Sequence, residues 1–149
     1  MISLPKWQQL PDLDLYLDQV LLYVNQQTLP FLASREKPLT ASMVNNYVKH
    51  GYLPKPIKKK YNRTQVARLI VLSIYKPIFP IAAIQEMIDI LKETDEASVL
   101  YNAFVDCLSG IENEGQPLIL QKACQTFHSY QATLALIPVL KGESDESKF

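Results

Sequence analysis

Acidic side chains are absent from the middle of this chain. From Lys37 to Lys76 there are nine lysines and arginines and not one Asp or Glu. The other residues carry six basic and fifteen acidic groups, so a formal charge of zero conceals a +9 segment inside a −9 remainder. Charge segregated in this way builds a local positive field that favours an anionic partner. Glycine is scarce, four in 149 residues, and the apolar residues are well spaced, which disfavours an all-β fold. No apolar run approaches the ~18 residues that a membrane span requires. The opening MISLPKWQQLPDLDL has neither the charged start nor the apolar stretch of a signal peptide. The two cysteines, Cys107 and Cys124, show no CxxC spacing and no Cys/His clustering, and read as buried free thiols. The expectation is a cytoplasmic, mainly α protein without a structural metal or cofactor.

The length suits one domain with a helical extension. Leu13, Leu17, Val20, Leu21 and Val24 recur at helical spacing and predict a helix over 13–27, ended or kinked by Pro30. Residues 33–39 form a polar connector. Thr40 is an N-cap candidate for a short helix over 41–49, closed by His50–Gly51. Pro54 and Pro56 forbid helix through LPKPIKKKY, leaving an extended loop or a small hairpin. Asn62 with Gln65 resembles a capping box and opens a helix to about Tyr75. Pro77 and Pro80 mark a turn, and Ile84, Met87, Ile88 and Leu91 a further helix. Beyond residue 93 the charge turns acidic. Leu100, Phe104, Cys107 and Leu108 give one amphipathic helix, and Leu120 to Ile137 a longer one after Pro117. Interrupted by Gly110 and Gly115–Pro117, residues 94–141 suit a helical hairpin better than one coiled coil. The end, 142–149, reads as a disordered tail.

The helix over 41–49 sorts into two faces. Val44, Tyr47 and Val48 belong inside, whereas Ser42, Asn45, Asn46 and Lys49 fall at i, i+3, i+4 and i+7 on the other side. Two adjacent asparagines are poor helix formers, yet Asn can pair with adenine N6 and N7, and Lys can reach phosphate or guanine. They can equally be solvated or capping side chains. The loop from Lys55 through Lys58, Lys59 and Lys60 is stiffened by prolines. With Tyr61 and Arg63 it forms a cationic element suited to a phosphate backbone, or a solubilising run.

These same residues carry a resemblance. VNNYVKHGYLP resembles the recognition-helix signature of MerR-type transcription regulators, with Val44, Tyr47, Gly51, Leu53 and Pro54 matching. Asn45 stands where that family usually has arginine, and Val48 where it has glutamate. KKKYNRTQVARL is similar to their wing and following helix, although the wing is short and Ile57 replaces its glycine. LDLYLDQVLLYV, LTASMVNNYVKHGYL and KKKYNRTQVARLIVLSIYK are similar to the bacterial domain-of-unknown-function 1836 family over about residues 5–92. The resemblance implies a winged helix-turn-helix domain over 1–93 with a small extended wing, followed by the helical region 94–141. It also implies a sequence-specific DNA-binding protein, a transcriptional regulator. Ser42, Asn45, Asn46 and Lys49 would face the major groove, and Lys55, Lys58, Lys59, Lys60 and Arg63 the phosphates. Tyr47 and Tyr61 would lie near the DNA backbone, with a core position for Tyr47 equally open. Double-stranded DNA is the expected partner, a homodimer is compatible with symmetric sites, and any small-molecule effector is unknown.

No nucleophile, base or acid set converges in the sequence, and His50 and His128 stand outside any motif, so the expectation is a non-enzyme. The aromatics Tyr101, Phe104, Phe127 and Tyr130 read as core, or as the lining of a small-molecule pocket. The rival function is a helical protein-interaction module whose basic patch meets an acidic partner.

Overall fold

The computed structural model describes residues 3–32, 36–111 and 113–143. Six α-helices account for most of them: α1 Leu17–Thr28, α2 Ala41–Lys49, α3 Arg63–Tyr75, α4 Ile81–Lys92, α5 Ala97–Leu108 and α6 Leu118–Glu143. Two short strands, β1 Leu15–Tyr16 and β2 Lys60–Tyr61, pair antiparallel with Leu15 opposite Tyr61 and Tyr16 opposite Lys60. The protein is therefore mainly helical with a small two-stranded sheet.

Helix α3 is the central element. Nine of its residues, among them Val66, Leu69, Ile70, Leu72 and Ile74, are buried, as befits a helix apolar on more than one face. α1 and α4 pack on it, α5 and α6 pair as a hairpin, and the 3-10 turn Trp7–Gln9 lies on α5. The core runs without a break from Leu4 to Phe127. The N-terminal segment is fastened to α5 by polar contacts, three of them short. Trp7 N–H donates to Asn102 Oδ1 at 2.8 Å, the Tyr101 hydroxyl donates to the Pro5 carbonyl at 2.8 Å, and Lys6 Nζ lies 2.6 Å from Asp106 Oδ1.

Most helix ends follow local rules. Thr40 Oγ1 accepts from the Met43 N–H at 3.2 Å, and Gly51 closes α2 at φ +78°, the left-handed conformation glycine adopts without strain. Asn62 and Gln65 form a reciprocal capping box on α3. The first helix departs from expectation. It begins at Leu17 rather than residue 13, because Leu15 and Tyr16 are drawn into the strand and Leu13 is 74% exposed. Pro30 sits in a 3-10 turn, Leu29–Phe31, that extends α1 by one tight turn. α6 runs through Pro138 to Glu143, so Gly142 belongs to helix. The remaining residues of the expected tail, and the connector residues 33–35, lie outside the described residues.

Gln65 does more than cap. Only 4% exposed, it also donates its amide to the carbonyls of Pro54, at 2.9 Å, and Lys55, at 3.0 Å. One turn on, Arg68 Nε donates to the Tyr52 carbonyl at 2.7 Å. Two side chains of α3 thus hold three carbonyls of the loop that follows α2. Gln65→Ala should cost about 2–3 kcal/mol, since it removes a cap and strands buried acceptors. A lower urea midpoint at unchanged slope would register that loss, whereas an unchanged midpoint would dismiss the clamp.

Burial also holds the ring hydroxyls of Tyr23, Tyr47, Tyr61, Tyr75 and Tyr101 above the ordinary tyrosine pKa of 10.0. For Tyr75 the Cys124 and Cys107 thiols add to burial, and its hydroxyl lies 3.3 Å from Cys124 Sγ. An acid whose folded pKa is raised loses its proton first in the unfolded chain. These tyrosines contribute stability that is fully present below the ordinary value of 10.0 and is lost as pH rises beyond it. With the three other tyrosines, Tyr16, Tyr52 and Tyr130, replaced by phenylalanine, circular dichroism and tyrosinate absorbance should therefore change together in one alkaline transition. Tyrosinate appearing while the helices stay intact would contradict this.

Candidate nucleic-acid interface

The two faces of α2 separate as their spacing predicts. Val44 and Tyr47 are buried against the core and Val48 is half-buried, while Ser42, Asn45, Asn46 and Lys49 are all exposed. The stripe contains no acidic side chain. Lys49 occupies the last turn, where a cation complements the helix dipole. His50, the C-cap, is exposed beside Tyr52, with ring centroids 6.0 Å apart.

After α2 the chain doubles back. Tyr52 and Leu53 both donate their N–H to the Tyr47 carbonyl, at 2.8 and 3.3 Å. Leu53, 1% exposed, anchors the loop in the core, and the Gln65–Arg68 clamp takes its carbonyls. Next comes a hairpin. Ile57 and Lys60 exchange both backbone hydrogen bonds at 3.0 Å, leaving Lys58 and Lys59 as a two-residue turn. Of the loop or hairpin open from sequence, a hairpin forms. Lys58 has φ +51° and Lys59 φ +65°. A turn with both central residues at positive φ matches the twist of a hairpin but favours Asn and Gly. For an L-residue with a Cβ this conformation costs about 1–2 kcal/mol. The hairpin thus holds two exposed lysines at its tip against their backbone preference.

The basic residues from α2 through the hairpin to the start of α3 fall into two sets. Lys49, Lys55, Lys58 and Lys59 are exposed and form no ion pair among the described residues. Lys60 and Arg63 are half-buried over aromatic rings of the N-terminal segment. Lys60 Nζ is 5.1 Å from the Tyr16 ring centroid, and the Arg63 guanidinium carbon 5.9 Å from that of Trp7. Both contacts are of cation–π type. Tyr61, 3% exposed, and Tyr47, 6% exposed, lie inside the core. Of the two positions open for Tyr47, the core is the one it occupies, and Tyr61 departs in the same way from the backbone-facing place expected for it. Each ring braces the element that carries it, Tyr47 under α2 and Tyr61 under the hairpin.

Two members of the positive segment turn inward. Arg68, its side chain 10% exposed, lies 3.7 Å from Asp89, and burial lowers its pKa with Asp89 acting against the shift. Lys76 is half-buried near Met43, and its pKa is likewise lowered by burial and partly restored by Glu36. Neither adds an exposed cation to the α2 and hairpin surface. Arg68 and Gln65 are the positioning residues that charge counting overlooked. Their i, i+3 spacing on the exit side of a capping box was the available signal.

A family model described as a domain of unknown function (DUF1836) matches residues 5–104, which takes in every residue of the α2 stripe, the hairpin and the clamp. No curated protein and no solved structure matches the chain. A match across the whole stretch from the N-terminal anchor into α5, more than half the chain, shows that the protein belongs to the DUF1836 family.

Proposed function

We propose that the protein binds double-stranded DNA in a sequence-dependent manner and acts as a transcriptional regulator. The reading treats α2 as the recognition helix and the Ile57–Lys60 hairpin as the wing of a MerR-like winged helix-turn-helix. One observation carries it: an exposed, acid-free polar stripe on a capped helix is followed directly by a hairpin with two strained lysines at its tip. Strain kept at an exposed tip calls for a function, and phosphate contact is what paired lysines at such a tip supply. On this reading Asn45 and Asn46 reach base edges, Ser42 and Lys49 flank them, and Lys55, Lys58 and Lys59 hold the backbone. Lys60 and Arg63 stiffen the hairpin against Tyr16 and Trp7 and lend long-range charge. Symmetric sites are read by paired copies, and the apolar residues Leu136, Val139 and Leu140, exposed at i, i+3, i+4 on α6, suit a second copy.

Anisotropy of labelled duplexes at ~50 and ~200 mM salt tests the reading, because affinity for DNA falls steeply with salt. The four exposed lysines imply a slope of log K on log salt of about −4. No binding at the lower salt would sink the regulator reading and favour an acidic protein partner for the same cations.

The double variant Lys58→Asn/Lys59→Gly gives a sharper outcome. It supplies the residues the turn prefers, so the fold should gain about 1 kcal/mol. Binding to every duplex should weaken, with the salt slope falling by about 2. A variant both more stable and equally avid would remove the hairpin from the interface. Asn45→Ala should act differently, losing about 1–3 kcal/mol of discrimination at one base position while the salt slope stays put. Uniform weakening across sequences would dismiss Asn45 as a base reader.

A further inference from the structure

Behind the hairpin loop, α3, α4, α5 and α6 line a half-open cavity of about 130 Å³. Its wall is almost entirely apolar, with Val71, Ile84, Met87, Leu100, Phe104 and Ala123 among the lining residues, and Pro54, Thr64, Lys92 and Ile119 are its exposed members. An apolar void of similar size accepts a benzene-sized molecule, and a half-open one gives such a molecule a way in. The buried polar groups of the wall are committed to protein partners, the Tyr101 hydroxyl to the Pro5 carbonyl, that of Tyr75 to Cys124, and Arg68 to the Tyr52 carbonyl and Asp89.

The wall is shared with the clamp. Arg68 and Pro54 both line the cavity. Arg68 holds the Tyr52 carbonyl and Gln65 the Pro54 carbonyl, so anything that moves Arg68 or Pro54 reaches the loop joining α2 to the hairpin. Ile119, Leu120 and Ala123 of α6 complete the cavity from beyond the family-matched residues.

We infer that this cavity is a binding site for a small apolar molecule, one aromatic ring in size, whose occupancy is transmitted through Arg68 and Pro54 to the loop that sets α2 against the hairpin. An effect of occupancy on DNA affinity would rest on the DNA-binding reading. Occupancy and the loop response stand apart from it.

The test uses the full chain with toluene as the probe. Trp7, the single tryptophan, lines the cavity, so its emission should change saturably with toluene. The unfolding midpoint should rise with the logarithm of toluene concentration, as for any ligand that binds only the folded state. Backbone amide shifts of Tyr52, Leu53 and Lys55 should move along the same isotherm. Ala123→Phe, which fills the space, should abolish the emission change while keeping a cooperative transition, and Ala97→Leu at the same wall should weaken it if the larger side chain prevents folding. No saturable response of the wild-type chain up to the solubility limit of toluene would overturn the site. Saturable binding with unmoved Tyr52–Lys55 amides would overturn the transmission. Neither readout involves DNA, so a protein that fails to bind duplexes could still pass or fail both.

Discussion

Everything near the candidate interface hangs on the near-complete burial of α3. On a helix enclosed on most sides polar side chains need partners, because each stranded buried donor or acceptor costs about 1–3 kcal/mol, and among the described residues Ser73 Oγ is left without one. Gln65 and Arg68 meet that requirement by reaching the carbonyls of Tyr52, Pro54 and Lys55. The loop gains fixed partners and α3 gains satisfied donors. The orientation of α2 and the hairpin is therefore settled by the hydrogen-bonding needs of the core. Exposed residues with no packing partner of their own inherit a defined geometry from it.

The same economy explains the N-terminal segment. Trp7 touches three parts of the molecule at once. It stacks edgewise on Tyr101 of α5, with centroids 6.2 Å apart, it lies under Arg63 at the start of α3, and it forms part of the cavity wall. Tyr16 plays a parallel part under Lys60 through the strand that pairs with the hairpin. The stretch before α1 is a brace between α5 and the base of the hairpin. Trp7 and Tyr16 each hold a cation over the ring, and at Tyr16 the contact is supported by backbone pairing.

Features decided within a few residues were legible in the sequence. Thr40, Gly51 and the Asn62–Gln65 pair each set a helix end, and the two faces of α2 followed from spacing alone. The stripe Ser42, Asn45, Asn46 and Lys49 was legible for that reason. Features decided across the chain were not. Leu15 and Tyr16 continue a helical pattern locally and become a strand only because Lys60 and Tyr61 lie alongside. Arg68 looks like any other member of a basic run until Asp89, 21 residues later, and the Tyr52 carbonyl claim it. Tyr47 and Tyr61 carry the same ambiguity, since an aromatic beside lysines suits either a ligand or a core until the packing is known. The cavity was legible only in part: Tyr101 and Phe104, which suited core or pocket lining in the sequence, are both buried and line it, but a gap between four helices has a lining that reads equally well as filled core.

The hairpin tip has a bearing on how such a chain can change over time. Either lysine codon becomes an asparagine codon by altering its third base, and asparagine sits comfortably in the left-handed conformation that Lys58 and Lys59 adopt. A less strained turn is therefore one mutational step away at both positions. Drift under selection for folding alone would be expected to find it, and a tip that holds two lysines instead is under some demand other than folding.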